Sequence, residues 1–137
     1  MTEPIYTDLL LRHSRHPMGA IALSPDQAQS TLSNPVCGDE IRLRLIWDTA
    51  TGRLLRFEHE TRGCAVCRAS ASLAAQLLPG HTPDEIRQLA DTFRTALTTD
   101  DFTALPPDYR LFQNLRQYPS RLHCALLPWQ ALSPALP

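Results

Sequence analysis

Three short stretches of the chain carry side chains that can bind a metal ion or handle sulfur. Asn34-Pro35-Val36-Cys37-Gly38-Asp39 sets a thiol and a carboxylate two residues apart on a tight turn. Gly63-Cys64-Ala65-Val66-Cys67 sets two thiols three residues apart, and Arg121-Leu122-His123-Cys124 joins a thiol to an imidazole and a guanidinium. Zinc takes thiolate, imidazole and carboxylate ligands in tetrahedral sets, and thiolate-rich sites suit iron as well. Gly38 lets the backbone fold tightly between Cys37 and Asp39. Cys64 stands where a strand gives way to a helix, and Cys124 falls in the first turns of the last helix. A thiol at the start of a helix is favoured as thiolate, which makes it a better ligand and nucleophile. Cys37, Asp39, Cys64 and Cys124 are expected to converge on one site. Three thiolates and one carboxylate outweigh the charge of a divalent ion, and the carboxylate is the ligand most easily exchanged.

Each of these residues also has a plainer reading. Asp39 has the residue type that caps turns. Cys64 and Cys67 have the spacing of a redox dithiol, but no βαβ pattern surrounds them, and Cys67 reads as a small buried apolar residue. His123 is readable as a metal ligand and equally as an exposed helix residue. Arg121 is either a cation beside the site or a solvated charge. His13 and His16 read as packing or helix-end residues, Trp47 and Trp129 as core.

The elements that must position these groups follow from periodicity. Residues Ile5 to Arg15 read as a helix, with Ile5, Tyr6, Leu9, Leu10 and His13 on one face, ended by Pro17 and Gly19. Residues 19–33 read as a mobile linker that could close over a site, with only a weak strand signal at 29–36. Glu40 to Asp48 alternates, placing Ile41, Leu43, Leu45 and Trp47 on one side as a half-buried strand. After the turn Thr49-Ala50-Thr51-Gly52, Arg53 to Thr61 returns antiparallel, with Leu55, Phe57 and His59 assigned to one face. Cys64 to Leu78 is dense in Ala and Leu and reads as a helix, its Ala/Ser run allowing close packing on the sheet. Thr82, Pro83 and Glu85 form a capping box with proline at the first helical position, and Ile86, Leu89, Ala90, Phe93 and Leu97 are its buried face. Residues 98–106 read as a loop, Pro107 to Tyr118 as a shorter helix, and Ser120 to Leu132 as a last helical segment kinked or started by Pro128. The fold class is α+β: a small antiparallel β-sheet covered by helices on one face, in a single domain over residues 1–137.

Bulk properties narrow the function. The chain has 137 residues, 13 Lys plus Arg against 14 Asp plus Glu, 12 Pro and four Cys. A near-neutral balance argues against nucleic-acid or anionic-membrane partners. No apolar run approaches the roughly 20 residues that span a bilayer. Met1-Thr2-Glu3-Pro4 has neither the basic nor the apolar region of an export signal, so a cytoplasmic setting is expected, where cysteines are more often metal-binding or catalytic than paired in disulfides.

Taken together, Asn34-Pro35-x-Cys37-Gly38-Asp39, Gly63-Cys64 followed by Ala69-Ser70-Ala71-Ser72, and Pro119-x-Arg121-x-x-Cys124-Ala125-x-Leu127-x-Trp129-x-Ala131-Leu132 resemble the U-type iron–sulfur cluster assembly family, the NifU N-terminal and IscU-like chains. Tyr6-x-x-Leu9-Leu10 and His13-x-x-His16-Pro17 are similar to its N-terminal segment. The chain looks nearest to the SufU branch, through the extra helix at about 82–97 and through Arg121. That resemblance implies a zinc ion on Cys37, Asp39, Cys64 and Cys124, with His123 as a possible further ligand. It implies sulfur transfer from the persulfide of a PLP-dependent cysteine desulfurase of SufS type, with Cys37 freed to accept it and Arg121 holding Asp39 or the freed thiolate, and downstream iron–sulfur assembly machinery as the next partner.

Three residues depart from the SufU pattern: His123, as found in IscU-type scaffolds, Cys67 and Pro128. Three functions therefore stay open. The first is a zinc-dependent sulfurtransferase. The second is a scaffold on which a [2Fe–2S] cluster is built on the same residues. The third is a non-catalytic zinc-stabilised interaction module.

Overall fold

The structure is a computed structural model that describes residues 5–35 and 37–137; the reading of residues 1–4 lies outside them. Strands β1 (Ser30–Asn34), β2 (Asp39–Asp48) and β3 (Arg53–Arg62) form one antiparallel sheet in the order β1-β2-β3. Ile41, Leu43 and Leu45 of β2 are buried on one face. The other face carries cross-strand ion pairs such as Arg44–Glu58 at 3.0 Å, the alternation a one-sided antiparallel sheet requires.

The helices are α1 (Asp8–Arg15), α2 (Ala65–Leu77), α3 (Pro83–Thr99), α4 (Pro119–Gln130) and the single turn α5 (Leu132–Ala135). Helix α2 lies innermost, against β3, α1 and α4. Its residues Ala69, Ser70, Ala71, Ser72, Leu73, Ala74 and Ala75 are all buried, which small side chains permit by letting neighbouring backbones approach. Thr82 and Glu85 make the reciprocal capping box of α3. Phe93 of α3 meets Trp129 of α4 at 4.5 Å between ring centroids and Tyr109 at 5.7 Å, a contact geometry favourable to aromatic pairs. No helix among the described residues is long and apolar enough to cross a membrane.

Three expectations need correction. First, residues 19–33 are not a free linker. His59 N donates to Gly19 O, Ile21 N donates to His59 O, and Leu23 is buried. This segment covers the outer edge of β3, which would otherwise expose unpaired backbone groups. Residues Ser30–Asn34 then pair with β2 as a full strand. Gln29 extends that edge, its side-chain amide accepting from Leu45 N at 2.8 Å.

Second, Leu54 rather than Leu55 is buried. The register jumps from Ile46↔Arg56 to Trp47↔Leu54, so Leu55 is an extra residue opposite no partner. Such a bulge resets which side chains face inward. Third, residues 107–118 are not one helix. Two 3-10 helices at Pro107–Phe112 and Leu115–Gln117 are separated by Asn114, whose φ of +74° a continuous helix cannot contain.

His59 fastens the segment before β1 to the sheet. It is fully buried. Its Nε2 lies 2.8 Å from Met18 O and its Nδ1 2.7 Å from Thr61 Oγ1. Nε2 therefore donates to the Met18 carbonyl, and the Thr61 hydroxyl pairs with Nδ1. Burial holds its pKa below the ordinary 6.5, the Met18 bond opposing only in part. The unfolded chain then binds a proton that the folded chain refuses, so this contribution to stability is complete above the ordinary pKa and is lost as pH falls below it. With metal chelated, the urea midpoint is expected to drop between about pH 7.5 and about pH 5.5, at a cost of at most about 1.4 kcal/mol per pH unit for this one group. His59→Gln should flatten that slope, and an unchanged slope in the variant would refute the assignment.

Candidate metal centre

The turn between β1 and β2 puts a thiol and a carboxylate at the end of the sheet. Gly38 N donates to Asn34 O at 2.8 Å, and Gly38 takes a φ of +74° that L side chains rarely adopt. Cys37 stays half-buried on this turn, its Sγ 4.0 Å from Ser120 O at the start of α4. Asp39 opens β2 and is only 1% exposed.

The buried carboxylate is held on one side only. Asp39 Oδ1 accepts from the Cys64 N–H at 2.9 Å, where the cap of α2 offers an unpaired amide. Asp39 Oδ2 is buried with no hydrogen-bond partner. Gly63 makes the approach possible. A Cβ there would stand 2.7 Å from Asp39 Cγ, and its φ is +151°. The sequence reading did not single out Gly63 for this role, although a glycine before a helix-capping cysteine is the signal for a close approach.

Cys124, fully buried on α4, completes the group. One ligand atom from each of Cys37, Asp39 and Cys124 lies within 4.8 Å of the others. Cys64 stands beside this trio rather than in it. As the cap of α2 its Sγ accepts from Cys67 N at 3.5 Å, while its thiol also neighbours Cys124. Burial first, then Asp39, Cys64 and Cys37, push the Cys124 thiol well above its ordinary range. Cys67 is fully buried beneath the cap, and burial followed by Asp39 and Cys64 pushes its thiol up likewise.

These facts share one cause. Acidic groups have been gathered in a place poor in water, with too little positive charge to match them. An ion there would partner Asp39 Oδ2 and favour the thiolates over the thiols. The donor set of sulfurs and one carboxylate oxygen fits zinc and, by softness, iron.

Arg121, on the first turn of α4, is partly exposed. Tyr6 first, then Cys64 and Cys124 against slight burial, strengthen its hold on its proton, so it sits beside these thiols. His123 is exposed and lies outside the trio, lining a shallow groove with Ser33, Asn34 and Pro35. His13 Nδ1 lies 2.7 Å from Ser72 Oγ, a packing role that joins α1 to α2.

Residues 5–137 match the family described as NifU-like N terminal domain. The zinc-dependent sulfurtransferase SufU of Bacillus subtilis is 29% identical over 133 residues, covering 95% of this chain and 88% of its own. The iron–sulfur cluster assembly scaffold protein IscU of Streptococcus pyogenes is 28% identical over 134 residues, covering 96% and 82%. The crystal structure of a nitrogen-fixing NifU-like protein (N-terminal) from Brucella abortus superposes with a TM-score of 0.75 at 26% identity, over 94% of this chain and 90% of that one.

The two glycines of the site should respond differently to a methyl group. Gly63→Ala forces Asp39 from the Cys64 amide, so a stability loss of about 1–3 kcal/mol and loss of bound metal are expected. At Gly38 nothing lies within 4 Å of an added Cβ, so Gly38→Ala should cost roughly 1–2 kcal/mol from φ alone and keep its metal. Urea unfolding with metal analysis compares the two; equal metal retention would remove Gly63 from the site.

Proposed function

The chain belongs to the NifU-like N-terminal domain family, and on that premise we propose that it serves iron–sulfur cluster assembly as a zinc-dependent sulfur acceptor. The reading is of one domain working with a PLP-dependent cysteine desulfurase in the cytoplasm, where thiols stay reduced. The observation that carries it is the clustering of Cys37, Asp39 and Cys124 around a buried carboxylate oxygen that has no partner.

Cys37, Asp39 and Cys124 would hold the zinc ion, with Cys64 beside them as the fourth ligand. Bound zinc would supply positive charge that keeps these thiols deprotonated. Cys37 is the acceptor in this reading because, of the three thiols, it alone stands on a turn rather than on a helix or its cap. Its thiolate attacks the terminal sulfur of the partner's cysteine persulfide. A new S–S bond forms at Cys37, the partner's S–S bond breaks, and the partner cysteine leaves as thiolate. Arg121 places a guanidinium beside these thiols, where charge-assisted bonds to Asp39 or a freed thiolate are strong. Tyr6 is exposed and lies close enough to Arg121 to act on its charge.

A second reading is favoured by the IscU scaffold of Streptococcus pyogenes, which matches nearly as well as SufU over the same length. In it, the same thiols hold a [2Fe–2S] cluster as cargo for the downstream assembly machinery.

Protein purified without oxygen and without added metal should carry about one zinc per chain and no acid-labile sulfide. Iron with matching sulfide would transfer the assignment to the scaffold. Cys37→Ala should keep its fold yet abolish stimulation of the desulfurase; a zinc-stabilised module without transfer chemistry would instead lose stability alone.

A further inference from the structure

The two edges of the sheet are finished differently. The outer edge of β3 is covered by residues 19–21, which bond His59. The outer edge of β1 has no such cover. Among the described residues, no backbone group outside β2 bonds Thr31, Leu32 or Ser33. An antiparallel strand turns alternate N–H and C=O groups away from its neighbour, so β1 presents an open row of them. It also lacks the devices that keep an edge from pairing. Ser30-Thr31-Leu32-Ser33-Asn34 has no charge and no proline, and its register against β2 has no bulge. Thr31 and Ser33 are exposed, while Leu32 is half-buried against the core. Pro35 follows and has no N–H to donate, so the row of donors ends at Asn34.

We propose that this edge pairs antiparallel with the same edge of a second copy of the chain, joining two three-stranded sheets into one. With the two-fold axis at Leu32, β1 is paired over its whole length with itself. Leu32 then faces Leu32 of the second copy, Thr31 faces Ser33, and Ser30 faces Asn34. The rows across the joined sheet follow from the register of β1 on β2. On the inner face, Ile41 and Leu32 of one copy meet Leu32 and Ile41 of the other, which makes an unbroken apolar row. On the outer face, Arg42 and Thr31 of one copy meet Ser33 and Glu40 of the other. Each outer row therefore draws one cation and one carboxylate from the two β2 strands, never two of a kind, with a pair of hydroxyls between them. Cross-strand hydroxyl pairs and opposite charges both favour pairing. A foreign strand would have to supply this match; a second copy carries it by symmetry. Each β1 runs into its own Cys37 turn, so antiparallel pairing sends the two turns to opposite ends of the ladder and leaves both metal centres uncovered. A five-residue ladder is small against the roughly 1,200 Å² of stable interfaces, so the association is weak and grows with concentration.

Sedimentation equilibrium on the full chain tests this, with a phosphine reductant present to prevent disulfide-linked dimers. Between about 5 μM and about 1 mM the mass should rise from 15.3 kDa towards twice that value. The double variant Thr31→Lys, Ser33→Lys sets lysines against each other across the axis, and Thr31→Glu, Ser33→Glu does the same with carboxylates. Each alone should associate at least about tenfold more weakly than the wild-type chain. An equimolar mixture of the two should recover association at least equal to that of wild type. Both positions are exposed, so the fold should be kept, which circular dichroism checks. A wild-type chain that stays at 15.3 kDa up to the highest concentration overturns the proposal and leaves the edge to an extended segment of another protein. Undiminished association of the lysine variant, or a mixture no stronger than its components, also overturns it by placing the contact elsewhere.

Discussion

A carboxylate is placed where it has too few partners. Asp39 is taken out of water at the start of β2, with one oxygen bonded to the cap amide of α2 and the other bonded to nothing. Burying an ionised carboxylate is costly unless it is paired, so this arrangement holds only because the surrounding fold is committed to it. The turn at Gly38 aims Asp39 inward, Gly63 clears the space it occupies, and α2 begins where its first amide can meet Oδ1. The remaining oxygen faces thiols rather than a basic side chain. A cation would answer both the orphaned oxygen and the crowded sulfurs.

Holding α2 still is the condition for all of this, and two serine hydroxyls on that helix do much of it. Ser72 Oγ accepts from Met18 N at 2.9 Å and meets His13, which ties α1 and the following segment to one side. Ser70 Oγ donates to Ala125 O and accepts from Trp129 Nε1 at 3.0 Å, which ties α4 to the other. Both hydroxyls are fully buried and both are satisfied, so they add direction to packing that small side chains alone would leave free to slide.

Local pattern made much of this legible in advance. The alternation in β2, the capping box at Thr82 and the end of α1 before Pro17 each report a structure set by nearby residues, and each stands where the pattern put it. The bulge at Leu55 was not legible, because period-two alternation has no mark for an inserted residue when Leu54 and Leu55 are both apolar. The covering of β3 by residues 19–21 depends on His59 and Leu23 meeting partners distant in sequence, which composition alone reads as a linker. The same holds at the site. Residue type pointed to Cys37, Asp39, Cys64 and Cys124, of which Cys37, Asp39 and Cys124 lie together, but the orientation of Cys64 towards Cys67 and the exposure of His123 follow from how α2 and α4 are rotated, and the motif contains no information on that rotation.

Pro128 shows how such rotation is fixed. It has no N–H, so it cannot bond the carbonyl of Cys124 four residues back, and a proline inside a helix costs about 3 kcal/mol or more in isolation. Yet α4 runs unbroken from Pro119 to Gln130. The compensation comes from the side. Cys124, Ala125, Leu126, Leu127 and Trp129 are all buried, and the carbonyl next to that of Cys124 accepts from Ser70 of α2. The turn that carries Cys124 thus lacks one bond of its own helix and gains bonds to Ser70 of α2. Because Cys64 caps that same α2, the spacing between the two cysteines is set through Ser70 and Trp129 directly, helix to helix, without passing through the loops that join them.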